Sequence, residues 1–259
     1  MNKYVMITGA SSGIGLATAK KMVSRGKNLI LVARRKDKLL NLKDELKSSY
    51  PEIDAVIKTF DLTKTDAINS FWESLSNYDI ETLINNAGMG MYSLIKDQND
   101  ERTQSLLKLD VEALALLTTL FVKDYWNVEG TQVINISSAG GYEIVPNAIT
   151  YCASKFFVSA FTEGLALELK ETGAKMRAKV LAPAATKTEF GKVANNVEDY
   201  DYDQAFPQYH TAEQVASFLM DLYDHDSILG FINRDNFEFE KKNNYFENAY
   251  GKGTNQTLK

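Results

Sequence analysis

The sequence predicts an α/β fold, a doubly wound parallel sheet of about seven strands covered by helices on both faces and built as a single domain. Three observations carry this expectation. Short apolar runs alternate with amphipathic stretches from one end of the chain to the other. Several of those runs are continuously apolar, which means burial on both faces. The first of them runs straight into a glycine-rich turn and then a helical pattern, Thr8-Gly9-Ala10-Ser11-Ser12-Gly13-Ile14-Gly15.

In chain order, the strands are expected at 4–7, 29–32, 55–60, 82–85, 132–136, 179–182 and 228–232. Helical periodicity fills the intervals at 13–25, 36–49, 65–76, 101–126, 151–171 and 212–223. No repeat, low-complexity linker or shift of composition marks a domain boundary, so residues 1–232 form one unit. Two segments depart from the alternation. Residues 184–210 lack a period and carry the acidic, aromatic run Glu198-Asp199-Tyr200-Asp201-Tyr202-Asp203, and so long a loop in a compact domain is usually functional or mobile. Residues 233–259 form a polar, Asn-rich tail, expected to be partly disordered and most clearly so over 251–259. Its aromatics, Phe237, Phe239, Tyr245, Phe246 and Tyr250, suggest that part of it packs.

The composition narrows the function. The chain has 259 residues, 44% hydrophobic and 24% charged, which is near the globular average and enough for a buried core. Its 29 basic and 34 acidic side chains give a formal charge of −5, arguing against a nucleic-acid or anionic-membrane partner. A single cysteine, Cys152, excludes an intrachain disulfide and a cysteine-rich metal site. The two histidines, His210 and His225, stand in no H-E-x-x-H pattern, so no metal is expected. No segment reaches the roughly 18 apolar residues that span a bilayer. No basic stretch followed by a long apolar region opens the chain, and the expected location is the cytoplasm.

The first turn has what a phosphate needs. Glycine lets the backbone turn tightly and approach a ligand closely. The helix that follows presents unpaired N–H groups and a partial positive charge, which suit a pyrophosphate. A glycine-rich turn without a ligand is the alternative, and three residues rather than one separate the first two glycines.

This T-G-x-x-x-G-x-G spacing resembles the short-chain dehydrogenase/reductase family, and so does the chain as far as about residue 190. Asp61-Leu62 follows the third strand, Asn85-Asn86-Ala87-Gly88 the fourth and a serine the fifth, and Tyr151-Cys152-Ala153-Ser154-Lys155 gives Y-x-x-x-K on the next helix. These motifs stand in the family's order. The resemblance implies a Rossmann-type sheet and an oxidoreductase that binds a nicotinamide dinucleotide. Its contacts would be Gly9, Ser11, Ser12, Gly13, Ile14 and Gly15 at the phosphates and Asp61 and Leu62 at the adenine. Asn86, Ala87 and Gly88 would hold it after the fourth strand, and Tyr151, Lys155, Pro183 and Thr188 at the nicotinamide end.

The end of the second strand chooses the cofactor. An acidic residue there binds the ribose hydroxyls of NAD, whereas an arginine accommodates the 2′-phosphate of NADP. The chain reads Leu31-Val32-Ala33-Arg34-Arg35, with alanine where NAD-specific members of the family have aspartate. A planar guanidinium meets a phosphate through paired hydrogen bonds. NADP(H) is therefore expected, with Arg34 the first candidate and Arg35 the second. A pair of solvated arginines at a helix start is the alternative.

At the chemical end, Tyr151 and Lys155 lie four apart and share a helix face. A free tyrosine has a pKa near 10, and a neighbouring ammonium favours the phenolate. Lowering it by roughly three units takes about 4 kcal/mol. In the family the lysine also binds the nicotinamide ribose. Ser137 and Ser138 emerge at the C-terminal edge of a strand, where open α/β sheets bind ligands. The family pattern makes Ser138 the catalytic serine, and Ser137 is the alternative. No G-x-S-x-G elbow surrounds them, which disfavours a hydrolase. Tyr92, Tyr142 and Phe190 flank the motifs and either line a substrate pocket or serve as packing. Cys152 is expected to be a buried structural thiol.

Two departures from the family stand out. Many members have an asparagine in the long helix after N-N-A-G that helps hold a water in a proton relay, and here Asp110 stands in its place. Asp110 would serve through its backbone carbonyl, with its side chain tied off by a nearby donor. Pro183-Ala184 stands where the family has proline–glycine.

The resulting expectation is an NADPH-dependent carbonyl reductase or alcohol dehydrogenase acting on a small molecule, with Tyr151 as proton donor or acceptor. The rivals are a non-catalytic NADP-binding redox sensor and a nucleotide-sugar epimerase or dehydratase. A homodimer or homotetramer is expected through the helices at 101–126 and 151–171, where Leu114, Leu117, Leu120 and Phe121 are interface or core.

Overall fold

The computed structural model describes residues 2–247. The chain opens on β1 (Lys3–Thr8), α1 (Gly13–Val23), β2 (Asn28–Ala33), α2 (Lys36–Ser49) and β3 (Ala55–Thr59). After these come α3 (Ile68–Glu73), β4 (Asp79–Asn85), α4 (Asp100–Leu107), α5 (Leu114–Tyr125) and β5 (Gln132–Ile136). The second half holds α6 (Ile149–Glu171), β6 (Arg177–Ala182), β7 (Thr186–Lys187), α7 (Phe190–Asn195) and α8 (Tyr202–Ala205). It closes with β8 (His210–Thr211), α9 (Ala212–Asp224), β9 (Leu229–Ile232) and β10 (Phe239–Lys242).

The main sheet has eight strands in the order β10-β9-β6-β5-β4-β1-β2-β3. All are parallel except β10, which runs antiparallel on β9. The seven parallel strands correspond to the seven apolar runs of the sequence. Each strand feeds alternate side chains to opposite layers, as the pleat requires. Along β1, Val5 and Ile7 join the layer under α1, α2 and α9, with Met22, Leu39 and Leu219. Tyr4 and Met6 join the other layer, under α3, α5 and α6, with Trp72, Phe121 and Leu169. The strand order reverses beside β1, so a crevice opens beyond the C-terminal ends of β1 and β4.

Four segments differ from the sequence expectation. The helix anticipated at 101–126 is interrupted by a π turn, Lys108–Ala113, between α4 and α5. That anticipated at 65–76 begins as a 3₁₀ turn, Thr65–Ala67. The stretch 184–210 is built from β7, α7, α8 and β8 and is not a plain loop. The tail runs through a turn into β10, where Phe239 stacks on Phe218 at 4.7 Å and Phe237 on His210 at 4.5 Å. Tyr250 and the anticipated disorder of 251–259 lie outside the described residues. Leu114, Leu117 and Phe121 are buried in the chain's own core.

Candidate active site

A cleft of about 1150 Å³ opens over the C-terminal ends of the strands. Its floor is where β1 meets the turn after β4. The Thr8 hydroxyl accepts from the backbone N–H groups of Asn86 and Ala87, both at 3.0 Å, and Asn86 Nδ2 donates to Thr8 O at 2.9 Å. This buckle brings the two motifs so close that side chains are excluded. Gly9 has φ +67°, and a Cβ there would lie 2.8 Å from Asn86 Nδ2. A Cβ on Gly15 would lie 2.5 Å from Gly9 O. Ser12 starts α1 without a side-chain cap, so the first helical N–H groups are left for a ligand. A backbone cradle at a helix N-terminus fits the pyrophosphate of a dinucleotide.

Of the residues expected to hold a cofactor, all line this cleft except Gly15. That glycine lies underneath, where its lack of a side chain permits the close packing. Asp61 lines the cleft just beyond the end of β3 and accepts from the Thr63 N–H at 3.1 Å. Arg34 is exposed on the cleft rim. Arg35 turns inward over the glycine motif, donating from Nη2 to Ser12 Oγ at 2.8 Å and Ser11 Oγ at 3.1 Å. Its Nη1 meets Glu189 at 2.7 Å, and Lys38 binds the other oxygen of that carboxylate at 2.7 Å. Lys38 first and Arg35 next hold the Glu189 carboxyl down at about 2. The strap carrying Glu189 also rests on the motif through Thr188, whose Cγ2 would lie 3.1 Å from a Cβ on Gly13.

Ser138, Tyr151 and Lys155 converge at the other end. The Ser138 hydroxyl accepts from the Gly140 N–H at 3.1 Å, which holds it at the strand end. Ser137 is turned away, bonded to Lys155 O at 3.0 Å and Ser159 Oγ at 2.7 Å. Lys155 Nζ donates to Ile136 O at 3.2 Å and lies 5.8 Å from the Tyr151 ring centroid.

Asp110 does not face the cleft. It lies in the π turn, fully buried, with Oδ1 accepting from the Met89 N–H at 2.8 Å. Its Oδ2 stands 2.9 Å from Lys155 Nζ, an ion pair poorly angled for a hydrogen bond. π turns recur at functional sites. Burial pushes the Asp110 carboxyl up, while Lys155 and the Met89 N–H pull it back. Burial also pushes the Tyr151 phenol up; the Ser138 hydroxyl opposes this and the Asp110 charge adds to it. The expected lowering of Tyr151 by Lys155 is therefore not what the chain alone displays, because burial prevails.

Sequence reasoning missed three features. Glu189 gave no signal, since it belongs to no motif. A buried chain of hydrogen bonds runs from Thr118 through Asn85 and Asn135 to Thr162 at 2.9–3.0 Å, tying β4 and β5 to α5 and α6. The first asparagine of N-N-A-G was its only visible member. Tyr200, Tyr202 and Phe206 line the cleft with Tyr92 and Phe190. Tyr142 does not, because its hydroxyl donates to Glu163 and its ring packs on Tyr245 and Phe246. Cys152 is buried, its sulfur accepting from the Val145 N–H. Among the described residues, no cluster could hold a metal, and no helix is long and apolar enough to cross a membrane.

Known proteins share this arrangement. The chain is 30% identical to an uncharacterised oxidoreductase of Staphylococcus saprophyticus over 78% of its length and 80% of the relative's. It is 31% identical to a sulfoacetaldehyde reductase of Chromohalobacter salexigens, over 83% and 86%. A solved short-chain dehydrogenase from Sphingobium yanoikuyae, in complex with NADPH, superposes with a TM-score of 0.78 at 28% identity, covering 89% of this chain and 87% of the other. The short chain dehydrogenase pattern itself spans residues 3–199, from the first residue of β1 to beyond α7. With the glycine cradle, the serine and the tyrosine–lysine pair all inside that span, the chain belongs to the short-chain dehydrogenase family of oxidoreductases.

Proposed function

We propose that this oxidoreductase reduces a small-molecule carbonyl with NADPH, or runs the reverse oxidation of an alcohol, in the cytoplasm. The observation that carries the reading is the single cleft in which Ser138, Tyr151 and Lys155 face the far end of a dinucleotide cradle. Arg34 and Arg35 at the rim suit the 2′-phosphate of NADP. NADPH, when bound, supplies a hydride to the carbonyl carbon. Ser138 donates a hydrogen bond to the carbonyl oxygen and holds it against Tyr151. The Tyr151 hydroxyl gives its proton to that oxygen, leaving a phenolate and completing the alcohol. Lys155 lies 5.8 Å from the Tyr151 ring centroid, where its charge would stabilise the phenolate, and its remaining donor would hold the cofactor's ribose. Asp110 fixes the direction of that ammonium.

The test is a panel of ketones, aldehydes and quinones with NADPH, followed by loss of absorbance, with Tyr151→Phe as control. Turnover that survives in Tyr151→Phe would remove the tyrosine from its role. A second reading, a non-catalytic NADP-binding regulator, draws on the Asp110–Lys155 pair, which diverts the lysine's charge from Tyr151. We also assign the chain to a homo-oligomer paired through α6. Phe157 on that helix is 37% exposed and stacks on Phe161 at 5.4 Å, an apolar outer face suited to a second copy. A monomer at micromolar concentration in sedimentation would contradict this.

A further inference from the structure

We infer that the carbonyl compound accepted by this site is uncharged and carries a large apolar or aromatic group beside the C=O. The inference rests on the reductase reading above and concerns the half of the cleft that the cofactor cradle leaves free.

That half is walled by rings. Phe190 stands 5.5 Å from Tyr151, centroid to centroid, and Tyr92 meets the same ring edge-on at 6.4 Å. Behind them Tyr202 contacts Tyr200 at 5.0 Å and Phe206 at 5.9 Å. The wall is pinned, because the Tyr202 hydroxyl accepts from the Gly191 N–H at 3.0 Å and Gly191 leaves no room for a Cβ beside the Tyr200 ring. Val145 lies in the same lining. Apolar walls of this kind bind by burying apolar surface, and ring pairs add a preference for aromatic partners.

The charges argue the same way. An anionic group in such a pocket needs a cation to replace its water. Beyond the cofactor rim and Lys155, the cations lining the cleft are Arg102 and Arg234. Arg102 turns its Nη2 onto the carbonyl oxygens of Gly90 and Val193, and its Nε is sealed from solvent. Arg234 pairs with Glu143 at 3.4 Å. The lining also includes the neutral amides of Asn99, Asn147 and Asn195, Ser105 and an acidic residue, Glu101, which disfavours an anion further.

The experiment compares kcat/KM with saturating NADPH for three compounds: an aryl ketone, the same ketone bearing a ring carboxylate, and a two-carbon aldehyde bearing a sulfonate. The neutral aryl ketone is expected to exceed both anions by at least a hundredfold. In Tyr200→Ala and Phe206→Ala, its KM should rise tenfold or more with kcat little changed, while the KM of a small neutral aldehyde should stay put. Equal or better turnover of either anion, or a KM indifferent to both ring deletions, would overturn the inference and leave the reductase reading standing. No turnover of any carbonyl, with NADPH binding intact, would remove both.

Discussion

The rim that faces the cofactor and the wall that faces the substrate are built differently. On the rim, side chains sit at strand ends and bond to one another across the fold. Thr8 clasps Asn86 and Ala87, and Ser138 is held by the Gly140 N–H. Each position leaves little freedom, since even a methyl group on Gly9 or Gly15 would collide with backbone or an amide. The wall is carried by short helices, α7 and α8, pinned by bonds such as that from the Gly191 N–H to the Tyr202 hydroxyl, and its side chains meet one another mainly through ring contacts. Bonds between fixed backbone atoms specify a ligand atom by atom, whereas ring packing specifies only bulk and polarity. On the proposed function, one half of the site is thus fitted to a dinucleotide and the other to a class of molecules.

Substitutions sharpen or break this contrast, and the largest effect belongs to the chemistry. Tyr151→Phe should lower turnover by about 10²–10⁴-fold, the usual share of a positioned proton donor, with cofactor affinity nearly unchanged by fluorescence titration. A parallel loss of affinity would mean that Tyr151 belongs to the rim's binding function. Next comes Arg34→Ala, which should weaken NADPH by about 1.5–3 kcal/mol, the range for hydrogen bonds to charged groups, and leave NADH alone. Equal titration of both cofactors by the natural protein would break the assignment.

Asp110→Asn should change the rate by less than about tenfold, or roughly 1.4 kcal/mol of barrier. Its signature is the pH profile. Because the Asp110 charge pushes the Tyr151 phenol up, its removal should move the apparent pKa of turnover down. A hundredfold gain in rate would instead favour the regulator reading.

Glu189→Gln should have the smallest effect, a severalfold tightening of NADPH, since exposed ion pairs contribute about 0–1 kcal/mol. The carboxylate occupies Arg35 and Lys38, where a phosphate would otherwise compete. Its folded pKa, about 2, lies below the ordinary 4.5, so any stability it adds is present above 4.5 and is lost as pH falls through 2. Melting temperatures of the natural and variant proteins should converge over that window. A gap that persists unchanged to the acid end would mean that the pair is not its source.

The same contrast explains what could be read from the chain. The seven parallel strands, the glycine turn and the tyrosine–lysine pair follow from local periodicity and fixed spacing, which a single sequence displays. Glu189 reaches Arg35 across 154 residues, and no local pattern foreshadows such a pairing. β10 escaped because Phe239-Glu240-Lys241-Lys242, with three charged residues of four, reads as tail until β9 offers an edge to pair with. The aromatic run around Tyr200 was visible as composition, but its role depends on α7 and α8 folding back over the cleft. Ser138 was preferred over Ser137 only by the family pattern, until the Lys155 carbonyl and Ser159 claimed Ser137.

The π turn at Lys108–Ala113 has a consequence for the length of the chain itself. A helix that widens by one residue turns everything beyond it by about 100°, since a turn holds 3.6 residues. Here the surplus residue lets Asp110 face Lys155 on one side of the break while Leu114, Leu117 and Phe121 still face the core on the other. Deleting one residue between 108 and 113 other than Asp110 should restore an unbroken α-helix and preserve every motif. It would also swing α4 out of phase with α5 and carry the carboxylate away from the ammonium. The spacing from Gly88 to Leu114 is therefore as much a part of the site as the residues within it.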